Sequence, residues 1–508
     1  MKIGMYNRWL ATLGGGEKHS LAIAEYLSRN HEVKVISHRI VSKEEAARRL
    51  NIDLSRVTFD FIPEQNDVEL SQLTREFDLF MNVSFMDFIQ SKAPKSIALI
   101  YFPVQISDNL SIKYKIGWWI KKQFLLPSLG PEYCGVRWLD HQNYQILGNN
   151  GISFNLLSAE KGYSIEFILQ VNASTEDLLE VYLDGRLVNR LDFKQSVTRE
   201  VSLEIPPSPS RHEIWVRPNS IGSNVQVAVS NISIDHPRFR FFKFMMQLIT
   251  NKIGIRFILL PFRQSKIVES INTYDMIWAN SEYTRRWIRN YWKKPSFVLY
   301  PPVDIGHFTP LPKKPIILNV GRFFEGSHNK KHLVMVSAFK KMVDGGLTGW
   351  ELHLAGGTTP GEIHERYIQK IRDESRGYPI ILHPDLEHTK LVQLYGESSI
   401  YWHASGYNED DQRDPIRFEH FGITTVEAMA SGCVPVVIGR GGQPEIVTHG
   451  VNGYLWNSTD QLIRYTHKLI SDPHLLATFS EKSLLQSRTY SGERFCLRLN
   501  ELISELEK

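Results

Sequence analysis

A pattern of strand, helix and strand recurs in both halves of this chain, and it constrains the fold more than any other feature. Residues 2–6 predict a strand, a helix begins at about Glu17, and the strand HEVKVIS follows. One face of that helix carries apolar residues at helical spacing, namely Leu21, Ala24 and Leu27. The runs TFDFI, LFMNVSF and SIALIYF extend this unit into a parallel sheet, so the pattern predicts a doubly wound α/β fold.

A second series of the same kind begins with PIILNVGR and continues through ELHLAGG, PIILHP, SIYWHAS and VPVVIG. The Pro-rich stretch PPVDIGHFTPLPKKP before it reads as a linker, so we expect two similar α/β domains that face each other across a cleft. The length of 508 residues favours about three folding units. We predict a first domain at 1–130 that resumes at 237–309, an insert at 131–236, a second domain at 310–490 and a C-terminal helix at 491–508.

The predicted insert contains short alternating runs such as YSIEFILQV, REVSLEI and NVQVAVSNISI, which are typical of an all-β sandwich or jelly roll. Asp184-Gly185 separates EVYL from RLVNR and predicts a two-residue hairpin turn, because these residues tolerate positive φ. For this insert we keep two interpretations, a spacer or interaction module and a carbohydrate-binding module. Trp215 and Tyr182 are candidate sugar platforms, although a sandwich core also needs aromatic residues.

Composition excludes several classes of protein. The net charge of +4, from 59 basic and 55 acidic residues, is too small for a dedicated nucleic-acid binder. The three cysteines lack metal-ligand spacing, so no metal site is predicted and a reducing compartment fits best. The start of the chain lacks a signal-peptide pattern, and charged residues interrupt every long apolar run. We therefore expect a cytoplasmic protein.

Polar residues just after strands are the candidates for chemistry, because open α/β sheets bind ligands at the carboxyl ends of their strands. Gly14, Gly15 and Gly16 could present backbone N–H groups to an anion, or simply form a tight turn. Arg322 follows the strand IILNVG, with Lys330 and Lys331 eight and nine residues further on. These cations suit a departing diphosphate, and a solvated basic loop is the alternative.

The segment EHFGITTVEAMASGCVPV places two carboxylates, Glu419 and Glu427, around a turn that enters a helix. Glu419 is expected on the loop and Glu427 one or two turns inside the helix, so both could face one elongated ligand. The N–H groups near Gly422, Ile423 and Thr424 would be available for hydroxyl or phosphate oxygens. The later loop from Gly439 to Glu445 reads as a generic turn.

Taken together, GGGEKHS, WANSEYT, LYPPVD, VGRF with NKK, and EHFGITTVEAMASGCVPVV resemble the family 4 glycosyltransferases of GT-B fold. The resemblance covers about 1–127 and 238–508 and leaves out the all-β insert. It implies retaining transfer from a nucleoside diphosphate sugar, bound mainly by the second domain, to an acceptor bound mainly by the first. The segment HASGYNEDDQRDPIRFEHFG also resembles mannosyltransferases that act on lipid-linked oligosaccharides.

By this resemblance, Arg322 and Lys330 would hold the donor diphosphate, with Lys330 preferred to Lys331. Glu419 would contact the donor sugar and Glu427 the nucleotide ribose. The remaining donor contacts that the resemblance implies are the Gly14–Gly16 loop near the diphosphate, Leu386 in the stretch HPDL near the base, and the backbone of Phe421, Gly422, Ile423 and Thr424.

One position departs from the family pattern, because Tyr101 stands where the family often has a histidine; we do not predict a catalytic role for it. The family implies that the donor phosphate takes the proton of the acceptor hydroxyl. The chain has no Asp-x-Asp pair, which fits metal-independent transfer with no cofactor beyond the donor. The predicted function is thus transfer of a hexosyl unit, mannosyl or glucosyl, to a glycan or a lipid-linked glycan.

Two basic and aromatic stretches flank the insert, at 112–126 and 238–260. They are typical of interfacial helices that contact the cytoplasmic face of a membrane, or of core or lid helices with snorkelling cations. The functional alternative is an inactive GT-B protein that binds glycans through the insert. A nucleotide-sugar epimerase is a third interpretation, for which we identify no acid/base set.

Overall fold

The computed structural model describes residues 1–62, 67–105, 128–129, 135–138, 144–149, 152–156, 162–172, 177–184, 186–193, 197–207, 212–218, 226–241, 267, 270–326, 329–359 and 361–507. The strands are β1 (Lys2–Tyr6), β2 (Glu32–Ser37), β3 (Val57–Phe61), β4 (Leu79–Asn82), β5 (Lys95–Ile100), β6 (Ser128–Leu129), β7 (Gly135–Trp138), β8 (Tyr144–Asn149), β9 (Ile152–Leu156), β10 (Tyr163–Asn172), β11 (Asp177–Leu183), β12 (Arg186–Phe193), β13 (Val197–Ile205), β14 (His212–Pro218), β15 (Gln226–Asp235), β16 (Met276–Ala279), β17 (Phe297–Val298), β18 (Lys314–Val320), β19 (Glu351–Gly356), β20 (Ile380–Pro384), β21 (Ser398–His403), β22 (Val434–Ile438) and β23 (Tyr454–Trp456). The α-helices are α1 (Gly15–Leu27), α2 (Lys43–Leu50), α3 (Asp67–Leu73), α4 (Glu282–Trp292), α5 (His332–Asp344), α6 (Glu362–Ser375), α7 (His388–Glu397), α8 (Ile423–Ala430), α9 (Gln443–Ile446), α10 (Thr459–Ser471), α11 (Pro473–Ser487) and α12 (Gly492–Glu507).

The first sheet has seven strands in the order β17-β16-β5-β4-β1-β2-β3, and all its neighbouring strands are parallel. Leu21, Ala24 and Leu27 of α1 are 1%, 0% and 4% exposed and share a core with Ile3 and Met5 of β1. Residues of α12 lie in the same core, so the C-terminal helix packs on the first sheet. The predicted βαβ unit and its buried helix face are confirmed.

The second sheet has six parallel strands in the order β20-β19-β18-β21-β22-β23. Ile317 and Leu318 are adjacent in β18 and completely buried, yet they belong to two different core clusters. Both faces of the sheet are therefore covered, which explains why its strands read as continuous apolar runs.

Between the parts of the first sheet, β6 to β15 form two antiparallel sheets of five strands each. Alternate residues of β9, namely Ile152, Phe154 and Leu156, share a core with β10 of the other sheet. The predicted hairpin is confirmed, because β11 pairs antiparallel with β12 and Asp184 between them has a φ of 53°.

The two aromatic candidates of this region are neighbours across two strands, since Tyr182 of β11 lies directly opposite Trp215 of β14. The residues beside them in sequence, Val181 and Val216, belong to the shared core, whereas neither aromatic ring does. The two rings therefore lie on the face turned away from that core, where the Tyr182 hydroxyl donates a 2.5 Å hydrogen bond to Glu180.

The carboxyl edges of the two parallel sheets face each other. Phe102, just after β5, stacks on His420 with 4.5 Å between the ring centroids. A Cβ placed on Gly15 would lie 3.0 Å from Cδ1 of Ile423 at the start of α8. The predicted facing arrangement of the sheets thus brings the glycine triplet against the start of α8.

Two predictions fall wholly or largely outside the described residues. They are the membrane-contact stretches at 112–126 and 238–260, of which only 238–241 are described. Within the described part of the chain, none of the helices combines the length and apolarity needed to cross a bilayer.

Candidate functional site

The turn before α8 depends on a glycine with a positive φ. Gly422 is the N-cap of α8 with a φ of 116°, and a Cβ there would lie 2.5 Å from Nε2 of Gln443. A side chain at this position would therefore meet both backbone strain and a steric clash. Glu419 lies before this turn and Glu427 one turn inside α8, as the spacing predicted.

Lys330 and Glu419 form an ion pair at the carboxyl edge of the second sheet, with 2.5 Å between Nζ and Oε2. His403, at the end of β21, places its Nε2 at 3.1 Å from the same oxygen. A carboxylate only accepts hydrogen bonds, so this Nε2 carries the proton. Burial alone would raise the pKa of Glu419, but Lys330 and His403 outweigh it and hold that pKa well below its usual range.

His403 was not predicted from the sequence, although its place at the end of a strand was a usable signal. Its side chain is only 2% exposed. Burial lowers its pKa, against the opposing effect of Glu419. A neutral His403 therefore orients Glu419 without adding a charge to the site.

The two adjacent lysines bind different carboxylates. Lys331 places its Nζ at 2.5 Å from Oε1 of Glu409, and Nη1 of Arg417 lies 3.5 Å from the other oxygen, Oε2, of that carboxylate. Lys330 instead crosses Gly321, where an added Cβ would lie 2.7 Å from its Cγ. Of the two lysines, only Lys330 is thus directed to Glu419. The preference for Lys330 as the diphosphate ligand stays a prediction.

Arg322 is exposed and lies one residue beyond Gly321, which directly follows β18. It makes no ion pair with any residue that the structure describes. The residues around this strand end therefore include two cations, Lys330 held by Glu419 and an exposed Arg322.

Glu427 faces a different environment from Glu419. The Tyr395 hydroxyl donates a 3.0 Å hydrogen bond to its Oε2. Burial raises the pKa of Glu427, and the charge of Lys18 on α1 opposes that rise. Lys18 lies on α1, which packs on the first sheet, so residues from both halves of the protein influence the pKa of Glu427. Thr424 on the first turn of α8 accepts a 2.8 Å hydrogen bond from the Tyr401 hydroxyl.

The glycine triplet is the start of α1, with Gly14 as its N-cap. Glu17 accepts hydrogen bonds from the Gly14 N–H at 2.9 Å and from the Thr12 hydroxyl at 2.6 Å. The Tyr101 hydroxyl donates a 2.6 Å hydrogen bond to the Gly16 carbonyl. Burial raises the pKa of Tyr101 well above its usual range, so this phenol supports the triplet rather than moving a proton.

The remaining predicted donor contacts lie around the end of β20 and the start of α8. Leu386 follows Asp385, whose carboxylate accepts from the Thr358 N–H at 2.7 Å and from the Thr358 hydroxyl at 2.6 Å. The Phe421 ring is buried against Tyr300, with 5.3 Å between centroids. Phe421 could therefore reach a ligand only through its backbone.

The loop from Gly439 to Glu445, read in the sequence as a generic turn, supports the site. The Gly442 N–H donates a 2.8 Å hydrogen bond to the Glu419 carbonyl. Gly441 has a φ of 67°, and a Cβ on it would lie 2.4 Å from that same carbonyl oxygen. Only glycine permits this approach, so the two glycines fix the backbone that carries Glu419. Their tandem occurrence before Gln-Pro-Glu was the signal in the sequence.

The same loop joins the two halves. Glu445 accepts hydrogen bonds from the backbone N–H groups of Glu282 and Tyr283, at 2.8 and 2.6 Å, at the start of α4. The Tyr300 hydroxyl also donates to it, at 3.1 Å. Burial raises the pKa of Glu445 to about 7 despite these bonds. A carboxyl from the second half thus caps a helix of the first half.

The described part of the chain contains no group of three or more His, Cys, Asp or Glu side chains arranged to hold a metal ion. The prediction of metal-independent chemistry stays a prediction.

Comparison with known proteins gives matches in sequence and in fold. The family model for glycosyl transferases group 1 matches residues 307–485. The Dictyostelium discoideum protein GDP-Man:Man(3)GlcNAc(2)-PP-Dol alpha-1,2-mannosyltransferase is 26% identical over 254 residues, covering 46% of this chain and 47% of that protein. Human alpha-1,3/1,6-mannosyltransferase ALG2 is 25% identical over 260 residues, covering 46% and 59%. The chain thus spans about half the length of the curated relatives it matches.

Solved structures match over nearly the whole chain. Anabaena HepE in complex with UDP has a TM-score of 0.55 at 12% identity, covering 99% of this chain and 100% of that one. A glycosyltransferase from Rickettsia africae ESF-5 has a TM-score of 0.53 at 12% identity, with coverage of 100% and 98%. Sucrose-phosphate synthase from Thermosynechococcus elongatus scores 0.51 at 12% identity, with coverage of 100% and 99%. The chain therefore has the GT-B fold, as the sequence predicted.

Proposed function

We propose that this protein is a retaining glycosyltransferase of family 4 that moves a hexosyl unit, mannosyl or glucosyl, from a nucleoside diphosphate sugar to a glycan or lipid-linked glycan. The observation that carries the proposal is the Lys330–Glu419 ion pair at the carboxyl edge of the second sheet. It lies within the region that matches glycosyl transferases group 1.

Loss of a nucleoside diphosphate from a sugar leaves negative charge on the phosphate oxygens, and cations held in place before the reaction stabilise that charge. Glu419 fixes the Lys330 ammonium, so little reorganisation is needed when the charge develops. The exposed Arg322 guanidinium is the second cation, and its planar fork suits a diphosphate. In this proposal Glu419 also contacts the donor sugar and Glu427 the ribose.

The acceptor hydroxyl must lose a proton during transfer. The Tyr101 phenol is bonded to the Gly16 carbonyl and its pKa is raised, so it is a poor base. We assign the proton to the departing phosphate oxygen. Attack then occurs on the face that the leaving group vacates, which retains the anomeric configuration. No metal ion or further cofactor is required in this proposal.

The names of the relatives support a finer assignment of substrates. The Dictyostelium protein is named for a GDP-mannose donor and an acceptor linked through a diphosphate to dolichol. We therefore place GDP-mannose first among donors, and a lipid-linked glycan first among acceptors. Such an acceptor would require peripheral contact with a membrane, for which 112–126 and 238–260 are the proposed segments.

The proposal is tested by incubating the purified protein with UDP-, GDP- and ADP-sugars and recording thermal shifts and slow donor hydrolysis. Arg322→Ala and Glu427→Ala are measured beside it. One nucleotide that raises the melting temperature, with hydrolysis lost or strongly reduced in both variants, supports the donor site. No shift and no turnover with any donor favours the alternative of an inactive glycan-binding protein that works through the antiparallel sheets.

A further inference from the structure

The carboxyl edge of the first sheet carries a cluster of charged and aromatic side chains that the sequence analysis did not identify. The Tyr6 hydroxyl donates a 2.9 Å hydrogen bond to Asp87 Oδ2, and Arg8 Nη1 lies 3.4 Å from the same oxygen. His38 Nε2 lies 3.0 Å from the Tyr6 hydroxyl. These residues follow or end β1, β2 and β4, which are neighbours in the sheet. Parallel strands bring these ends to one edge.

Beside this cluster lies an exposed aromatic ring. Trp9 is 42% exposed, whereas most of the aromatic residues in the part of the chain that the structure describes are buried. Its indole N–H donates a 2.8 Å hydrogen bond to the Phe85 carbonyl, and its backbone N–H donates a 3.0 Å bond to Asn7 Oδ1. The ring is thus both open to solvent and fixed in orientation, so little side-chain entropy would be lost when a ligand stacks on it.

The backbone that carries Trp9 is also fixed. The Arg8 N–H donates a 3.1 Å hydrogen bond to the Ser84 hydroxyl, which joins the loop after β1 to the loop after β4. The same loop continues into the glycine triplet, where Gly15 approaches Ile423 of α8. A single rigid loop therefore begins at the Trp9 cluster and ends against the proposed donor site.

We propose that Trp9, Arg8 and Asp87 form a subsite for a hexopyranose ring of the acceptor glycan. The C–H face of a pyranose stacks on an indole, and carboxylate and guanidinium groups beside it bind the hydroxyls. The side chains of Arg8 and Asp87 are 24% and 17% exposed, so both are reachable at the surface. That the bound sugar belongs to the acceptor rests on the proposed function, whereas the prediction that a hexopyranose binds here does not.

The test measures glycan binding separately from turnover. The wild-type protein is applied to a printed array of oligosaccharides that end in mannose, glucose, galactose or N-acetylglucosamine, beside Trp9→Ala, Trp9→Phe and Asp87→Asn. We expect Trp9→Ala to lose about tenfold or more in affinity, and Trp9→Phe to recover part of it, because stacking needs an aromatic face. Leu485→Ala is the matched control, since Leu485 is an exposed apolar residue of α11 at 66% exposure and should bind as wild type.

Kinetic measurements separate the transferase proposal from the proposal of a hexopyranose subsite. Trp9→Ala should raise the KM for the acceptor about tenfold or more, and leave donor hydrolysis without acceptor within about twofold of wild type. If no donor is turned over but array binding depends on Trp9, the transferase proposal fails and the sugar subsite stands. Array binding that is unchanged in Trp9→Ala, or a wild-type protein that binds no hexopyranose-terminated glycan, overturns the subsite. Loss of donor hydrolysis in Trp9→Ala also overturns it, because Trp9 would then support the donor loop.

Discussion

The carboxyl edges of the two parallel sheets carry different kinds of site. At the second sheet, Glu419 and Glu427 come from one continuous segment around α8, and two glycines fix the backbone beside them. At the first sheet, Arg8, His38 and Asp87 come from three separate loops and are joined by side-chain hydrogen bonds. A site built by one segment can be read from a motif, whereas a site built by three loops can be read only from the fold.

The two edges also differ in the kind of ligand that their side chains suit. The second edge concentrates ion pairs, which suits a charged leaving group. The first edge combines the Arg8–Asp87 ion pair with the exposed ring of Trp9, which suits a neutral polyol. Four predictions test whether residues at the second edge alone stabilise the charge of the leaving group. They also test how strongly the residues around the first sheet support that site.

Lys330→Ala should give the largest effect, a loss of about 10²–10³-fold in turnover, because a positioned cation at a developing charge contributes several kcal/mol. The measurement is donor hydrolysis and transfer at saturating donor. Lys331→Ala is the matched control, because Lys331 makes an ion pair of the same length with Glu409, and 23% of its side chain is exposed against 21% for Lys330. It should lower turnover by less than about threefold. Equal losses in both variants would contradict the assignment of the diphosphate to Lys330.

Gly441→Ala should reduce turnover about tenfold or more, because its Cβ would meet the Glu419 carbonyl at 2.4 Å and displace the carboxylate. Left-handed backbone strain adds about 1–2 kcal/mol of destabilisation. Gly377→Ala is the control: Gly377 has a φ of 79° but no heavy atom within 4 Å of an added Cβ, so it should lose stability without losing turnover. Melting temperature and turnover are measured together. Equal turnover in the two alanine variants would show that Gly441 does not hold Glu419 in place.

Glu445→Gln should change the pH dependence of stability. Burial raises the pKa of Glu445 from 4.5 to about 7, so the folded protein binds its proton more tightly than the unfolded chain. The contribution of protonated Glu445 to the stability of the folded protein is fully present below about pH 4.5, and it is lost as the pH rises to about 7. Urea unfolding across this range should show a falling midpoint in the wild type and a flatter profile in the glutamine variant.

Glu397→Gln is the control for this pH effect. Hydrogen bonds from Lys314 and Gln393 lower the pKa of Glu397. Its contribution to stability is therefore lost as the pH falls, whereas that of Glu445 is lost as the pH rises. A wild-type midpoint that does not fall between about pH 4.5 and 7 would argue against the raised pKa of Glu445.

Tyr101→Phe should give the smallest effect, because it removes one hydrogen bond to the Gly16 carbonyl, worth about 1 kcal/mol. We expect a slightly lower melting temperature and a donor affinity reduced by about threefold at most. Tyr274→Phe, which removes a buried hydroxyl that donates to the Ile89 carbonyl, controls for the stability loss. A loss of turnover above about tenfold in Tyr101→Phe alone would assign Tyr101 a direct chemical role.

The sequence predicted much of the local structure, because local structure follows from the spacing of nearby residues. Helix α1 begins at Gly15, the chain reverses at Asp184 between β11 and β12, and Glu427 lies one turn inside α8, each at or beside the expected position. The order of the strands was not predicted, because a parallel neighbour can come from any later βαβ unit.

Interactions between distant residues were the ones that sequence reasoning missed. Glu445 caps a helix that begins 163 residues earlier, and Asp87 pairs with Arg8 across 79 residues. No periodicity links such positions, since they meet only after both sheets have formed.

The sequence by itself determined the two parallel α/β units, the antiparallel region and the motif that carries Glu419 and Glu427. Apolar spacing and turn residues act over a few positions, and they leave a pattern that can be read directly. Only the tertiary structure decided which lysine meets Glu419, which loop holds that carboxylate in place and which side chains surround Trp9. Those choices depend on distances between residues far apart in the chain, and such distances exist only once the sheets have packed.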